Sequence, residues 1–518
     1  MQLSLFKIYT ILLFFLCSLC PSMNDLWAQD FNDYQLLNSR GIIPADFLTR
    51  SSIKYEKEIQ SIDSITTKDE KNDKRQFYLE SNFLIDDLLK GPSVFFNDPI
   101  TNYVNRVADE LLKNDQEMRK KLQFYTVRSS AVNAFATNQG IIFVNVGLLA
   151  QLENEAQLAF ILAHEIAHVQ DGHPLEMFLE SQKIDRYTKR SDLVQNTSFD
   201  DQIVAKNFYS KELESCADSK GLQLFLKSNY SIDELDGVFD VLQYAYLPFD
   251  ITAIPRSYFE DEYIQLPDDY FMAAEEMNGI SDTYDEDDSK STHPSIESRR
   301  NAVRSSIGQV SNLLRKKFIQ STKEQFLKLR DIARFELVYY YLHNFRFQDA
   351  IYACFVLQQK YPDSKYLHKI IAKSFYGYTK FKNDLKGYNS NNISYNDEGF
   401  NTVYMSKNRY KKVEGPTQQV YYLLSQLQAN ELSVLSLKYL WDACSIFPND
   451  RELLTMRRDL FVDLAYHYSS LTDFSNQTKA AIDAKASQNG LPDSLTQSNE
   501  NKNQKKLSKY DKIKLQKK

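Results

Sequence analysis

The sequence predicts an α+β chain, mostly α, in which a domain built around a small β-sheet is followed by an array of paired helices. Three observations predict it. Leu158, Ile161, Leu162, Ile166 and Val169 recur at the spacing of one helix face. Just before them, Phe124-Tyr125-Thr126-Val127 and Ile141-Ile142-Phe143-Val144-Asn145-Val146 have the β-branched and aromatic content of strands. From Lys323 onward, aromatic and Ala positions repeat at helical spacing alone.

Length and composition set the frame. A chain of 518 residues exceeds what one core organises, so two or three domains are expected, and 43% hydrophobic residues supply the cores. Lys and Arg number 62 against 69 Asp and Glu, a mixed balance with net charge -7 that makes no case for nucleic acid. Lys7 precedes an apolar run from Ile8 to Cys20, and Leu26-Trp27-Ala28 offers a cleavage site, so residues 1–28 read as a signal peptide and the mature chain starts near Gln29. The expected location is periplasmic, with outer-membrane association. An uncleaved anchor is the alternative, but the run is short for a span of about 20 residues. Lipidation at Cys20 is left open, because Leu stands before both Cys17 and Cys20 where a small residue is expected. No later run reaches the roughly 18 apolar residues of a transmembrane helix. Beyond the leader only Cys216, Cys354 and Cys444 remain, which define no disulfide framework.

The elements follow in order. Residues 29–76 mix charges with Ser and Thr and form a lead-in segment. Helical patterns run from Phe77 to Leu112. Asn138-Gln139-Gly140 is turn chemistry, so Val132–Ala136 and Ile141–Val146 are expected to form a hairpin. Asn154 with Gln157 resembles a capping box for the next helix, and Asp171-Gly172 supplies its stop. A polar stretch from Pro174 to Tyr209 leads to a second strong helix over Glu212–Leu226. Residues 255–291 read as loop, and the acidic run Asp282, Asp285, Glu286, Asp287, Asp288 lacks EF-hand spacing, so no metal is assigned to it. The first domain is placed at 77–310.

Over 320–470 two passages share one pattern: Val338–Leu342 through Phe347–Ala350 to Tyr361-Pro362, and Tyr421–Leu424 through Leu435 to Phe447-Pro448. Both read helix, turn, helix, aromatic, Pro, which resembles degenerate tetratricopeptide repeats, an α-solenoid that presents a concave surface to peptides or partners. An ordinary helical bundle is the alternative. The tail, 477–518, is Lys-rich, short of large apolar residues, and expected to be disordered.

The chemistry concentrates at His164-Glu165-Ile166-Ala167-His168. Positions i and i+4 share a helix face, so His164 and His168 can grip one metal while Glu165 faces the attacking water. A catalytic zinc takes three protein ligands and keeps one position open. Glu214 and Asp218, four apart on the second helix, offer a carboxylate ligand and a partner for a ligand histidine's ring N–H. His173 is read as a helix-end residue, since its offset of five from His168 and the Asp at 171 do not fit a third-histidine motif.

With Val132-Asn133-Ala134-Phe135, Gly147-Leu148-Leu149, the two metal motifs and Thr292-His293-Pro294 in this order, the chain resembles the HtpX and Ste-type zinc metallopeptidases, peptidase family M48. The resemblance covers about Phe77 to Arg304 and implies a gluzincin-type domain with one Zn2+ per chain, held by His164, His168 and Glu214. It implies that Glu165 is the catalytic base and later the proton donor to the leaving amine, with Asp218 supporting a ligand. It further implies that Asn133, Ala134 and Phe135 form a substrate-binding edge strand and that His293 lies near the zinc. The segment 176–209 is charged where membrane-bound relatives carry an apolar hairpin. The expected function is a zinc endopeptidase that degrades unfolded or misassembled envelope proteins, with the repeats docking outer-membrane assembly machinery. The alternative is a chaperone or assembly factor acting mainly through repeat-mediated binding.

Overall fold

A computed structural model describes residues 29–62, 67–175, 211–281, 295–308, 310–384, 408–467 and 508–516. The signal-peptide segment, the polar stretch 176–210, the acidic run from Asp282, His293 and tail residues 468–507 lie outside the described residues. Two compact units divide the chain. The first holds residues 35–246 and 283–337, and the second holds 31–34, 247–282 and everything from 338 on.

In the first unit the lead-in is helical: α1 (Ala45–Leu48), α2 (Ser51–Gln60) and α3 (Lys68–Lys90) precede strand β1 (Val94–Phe95). Lys54 Nζ lies 2.6 Å from the buried Asp86 and ties α2 to α3. Helix α4 (Pro99–Leu111) starts cleanly because Asp98 accepts the N–H groups of Ile100 and Thr101 and Pro99 stands at the first helical position. After α5 (Gln116–Lys121) come β2 (Gln123–Val127), β3 (Ala134–Ala136) and β4 (Ile141–Asn145).

The sheet order is β1-β2-β4-β3, with β2 and β4 parallel and the outer pairs antiparallel. The β3–β4 hairpin is the one the turn chemistry predicts, with Phe135 opposite Phe143. Every residue of β4 is buried, as its unbroken apolar run requires of a strand covered on both faces. One face packs Tyr125, Phe135, Ile141 and Phe143 on Ile85, Leu88 and Leu89 of α3. Helix α4 packs on β2 and on α7 (Glu155–Asp171), which follows α6 (Val146–Gln151). Helices α8 (Lys211–Leu226), α9 (Leu235–Gln243) and α10 (Ile296–Ile307) complete the unit, with α8 and α9 both against α7.

The second unit is helical: α11 (Lys323–His343, its last residues), α12 (Phe347–Gln358), α13 (Lys365–Asp384), α14 (Thr417–Gln426), α15 (Ala429–Ile446) and α16 (Arg451–His467). Both repeated passages are helix pairs, and Pro362 and Pro448 fall in the turns that follow them. Helix α12 packs on α13 and α14, α13 on α15, and α15 on α16. Phe375 stacks on Tyr439 with ring centroids 4.3 Å apart.

Two assignments from sequence change here. Residues 247–282, expected within the first domain, pack with the C-terminal helices: the Tyr258 hydroxyl donates to Gln358, Tyr439 donates to the Tyr258 carbonyl, and Tyr270 donates to Glu431. The tail is also not wholly without structure. Helix α17 (Lys509–Gln516) buries Tyr510 and Ile513, three apart on one face, and Lys512 Nζ lies 2.5 Å from Asp250. The polar average of the tail hid that apolar pair. Among the described residues no helix is long and apolar enough to cross a membrane.

Candidate metal centre

Helix α7 presents the site. Asn154 accepts the Gln157 N–H at 3.1 Å, and the Gln157 side chain accepts the Glu153 N–H at 2.8 Å, a variant of the expected capping box. At the other end Gly172 adopts φ 69°, the left-handed conformation that closes a helix. Between these stops the helix is buried from Glu155 to His168.

One turn apart, the imidazoles of His164 and His168 bring their Nε2 atoms to 3.0 Å. Glu214, from α8, places carboxylate oxygens 3.5 Å from His164 Nε2 and 3.9 Å from His168 Nε2. All three residues are buried. Two ring nitrogens and a carboxylate oxygen converging in this way form an N,N,O donor set that fits a divalent metal ion.

The supporting contacts differ between the two histidines. His164 Nδ1 lies 2.9 Å from Asp218 Oδ1, a contact that can orient the ring. His168 Nδ1 instead meets His173 Nδ1 at 2.8 Å, so the residue read as a helix end is also a ring partner of a site histidine. Arg299, on α10, grips Asp218 with Nε at 2.7 Å and a terminal nitrogen at 2.8 Å, and reaches Glu214 at 3.1 Å. Arg299 was missed from sequence. Its signal was the acidic pair itself: two carboxylates buried on one helix face require a cation.

Electrostatics follow from this layout. Burial opposes charge on His164, but Asp218 and Glu214 outweigh it and raise its pKa. Burial would raise Asp218, yet Arg299 and His164 hold it well below the usual carboxylate range. Burial pushes the Glu165 carboxyl up to about 8, and its Oε2 is buried with no hydrogen-bond partner among the described residues. The N–H of Ala136 on β3 interacts with the same carboxyl group, which sets β3 beside it. Among the described residues β3 pairs with β4 alone, so it forms one edge of the sheet. Of the site residues expected from sequence, His164, Glu165, His168, Glu214 and Asp218 are brought together here, Ala134 and Phe135 lie on β3 with Asn133 just before it, and His293 lies outside the described residues.

Gly221 allows the close approach of α7 and α8. A Cβ there would stand 2.9 Å from both Cα and N of His164. Gly221→Ala should therefore push the helices apart, destabilise the protein by about 1–3 kcal/mol and weaken metal binding. Chelator competition and urea unfolding measure both, and unchanged values would mean that α8 yields without moving Glu214.

Residues 100–307 match the model of peptidase family M48. The beta-barrel assembly-enhancing protease of Escherichia coli (strain K12) is 33% identical over 86 residues, 16% of this chain and 18% of the relative. The protein of the same name from Yersinia pestis is 29% identical over 103 residues, 20% of this chain and 21% of the relative. The mitochondrial metalloendopeptidase OMA1 of Schizosaccharomyces pombe is 35% identical over 78 residues, 15% of this chain and 23% of the relative. The chain thus spans about a fifth of the length of the curated relatives it matches. With the His164, His168 and Glu214 donor set inside the matched stretch, the chain carries a metallopeptidase domain of peptidase family M48.

Proposed function

We propose that this chain is a zinc-dependent endopeptidase of the cell envelope that degrades misfolded or misassembled periplasmic and outer-membrane proteins. The observation that carries the reading is the convergence of His164, His168 and Glu214 beside a buried Glu165. When bound, zinc supplies a Lewis acid that acidifies water and polarises a peptide carbonyl. Glu165 takes the proton of the attacking water and returns it to the leaving amine. Its carboxyl is suited to both steps, because burial brings its affinity for protons close to neutral pH. Asp218, clamped by Arg299, holds the His164 ring with Nε2 turned to the other donors. Asn133, Ala134 and Phe135 lie on or beside the edge strand β3, to which an extended substrate adds as a further strand. His293 steadies the oxyanion that forms on the substrate. The helix pairs after residue 320 act as tetratricopeptide-like repeats that recruit envelope clients or assembly machinery. Support for this setting comes from the relatives named for β-barrel assembly.

The test is metal removal. Cleavage of casein or of an unfolded outer-membrane protein by the mature chain is expected to stop on treatment with 1,10-phenanthroline and to return when zinc is added. Cleavage that persists in the metal-free protein would overturn the proposal.

A further inference from the structure

A second donor set stands behind the ring of His168. His173 is buried, and its Nδ1 is taken by the contact with His168 Nδ1. Its other nitrogen, Nε2, lies 3.5 Å from Oδ2 of Asp171, the last residue of α7. The same Oδ2 is 3.4 Å from Sγ of Cys216 on α8. Cys216 is two residues from both Glu214 and Asp218 in sequence, a rotation of about 200° on a helix of 3.6 residues per turn. It is thereby turned away from the face that bears the carboxylates. The nitrogen, oxygen and sulfur donors all lie within 4.8 Å of one another.

These separations have a chemical meaning. Zinc bonds of about 2.0 Å to nitrogen and oxygen and about 2.3 Å to sulfur place tetrahedral donors roughly 3.3–3.7 Å apart. The two measured gaps fall in that range. Lys220 already satisfies Asp171, with Nζ 2.6 and 2.7 Å from its two oxygens, so the thiol is not needed to hold the carboxylate in place. Asp171 and Cys216 are partly exposed, which gives an ion a way in from solvent.

We propose that Asp171, His173 and Cys216 form a second metal site, for a borderline thiophilic divalent ion such as Zn2+, separate from the donor set of His164, His168 and Glu214. Binding releases two protons to solvent, the Cys216 thiol proton and, because a single hydrogen fits between the facing Nδ1 atoms once both Nε2 atoms hold metal, one imidazole N–H proton of the His168–His173 pair. It displaces the Lys220 ammonium from Asp171, and water completes the coordination. The site stands independently of the peptidase reading. It meets the first site through the contact between His173 and His168.

Cobalt(II) titration of the metal-free mature chain tests the proposal, because thiolate–cobalt charge transfer in the near ultraviolet reports sulfur coordination directly. The wild type is expected to take two equivalents, one of them with the charge-transfer band. Cys216→Ser, close to isosteric, should remove the band and weaken that equivalent by at least about 100-fold, beyond the 10–100-fold that loss of a supporting partner brings. The visible ligand-field bands of the other equivalent should remain. Glu214→Ala should do the reverse, losing the ligand-field equivalent and keeping the band, while Lys220→Ala should tighten the thiolate equivalent. A wild type that shows no thiolate band, or a band that survives Cys216→Ser, overturns the second site. Neither result bears on cleavage, so failure here is distinct from failure of the peptidase proposal.

Discussion

Glu165→Gln is expected to cut turnover while leaving the metal in place: kcat for peptide cleavage should fall by about 100- to 10,000-fold, the range for loss of a general acid–base, and metal content should stay that of the parent. The separation follows from geometry. Glu165 adjoins His164 in sequence but offers no atom to the convergent donor set, which is His164, His168 and Glu214. Gln keeps the size of the side chain and can hold the Ala136 interaction only in altered form, and it cannot accept a proton from water. Glu214→Gln makes the contrast, because it removes a ligand and should lower metal content and activity together. Metal analysis beside initial rates distinguishes the two variants. Near-parental cleavage by Glu165→Gln would transfer the base role to another group, and lost metal in that variant would mean that Glu165 shapes the donor set.

Much of this arrangement was legible in the sequence because it is encoded locally. The face of α7, its Asn154 and Gly172 stops, and the i, i+4 spacing of His164 with His168 and of Glu214 with Asp218 all follow from helix geometry. The β3–β4 hairpin was equally local, set by a turn sequence between two apolar runs. What escaped was set by tertiary approach. Arg299 reaches Asp218 from 81 residues away, and no local pattern marks it. The His168–His173 contact depends on how the chain folds back after Gly172, which spacing alone does not give. Gly221 reads as a poor helix residue until α7 is found against it. In the stretch 255–291, read as loop, the packing residues are scattered aromatics rather than a periodic face, and Tyr258 and Tyr270 anchor its described part by their hydroxyls.

Glu155 is the second position where a large effect is expected, and it acts on stability. As the first residue of α7 it reads as an ordinary acidic group favoured by the helix dipole. In the fold it is fully buried and accepts hydrogen bonds from five groups. The hydroxyls of Tyr103 and Tyr230 donate to its two oxygens at 2.6 Å each. The N–H groups of Ile319 and Gln320 donate at 2.9 and 2.6 Å, and the Ser321 hydroxyl at 2.6 Å. Burial and the adjacent carboxylate raise both tyrosine pKa values, so both hydroxyls keep the protons they donate. One carboxylate thus ties the start of α7 to α4, to the segment after α8 and to the bends at 319–321 before α11. Glu155→Ala leaves these donors buried without an acceptor and should destabilise the first unit by roughly 3–5 kcal/mol, the scale for removing one member of a buried charged network. Glu155→Gln should recover part of this, since an amide oxygen accepts some of the same bonds while its NH2 meets the remaining donors unfavourably. Urea unfolding followed by circular dichroism ranks parent, Gln and Ala in that order of stability. An Ala variant as stable as the parent would mean that water replaces the carboxylate and that the anchoring of α7 lies elsewhere, in Asn154 and the packing of α4.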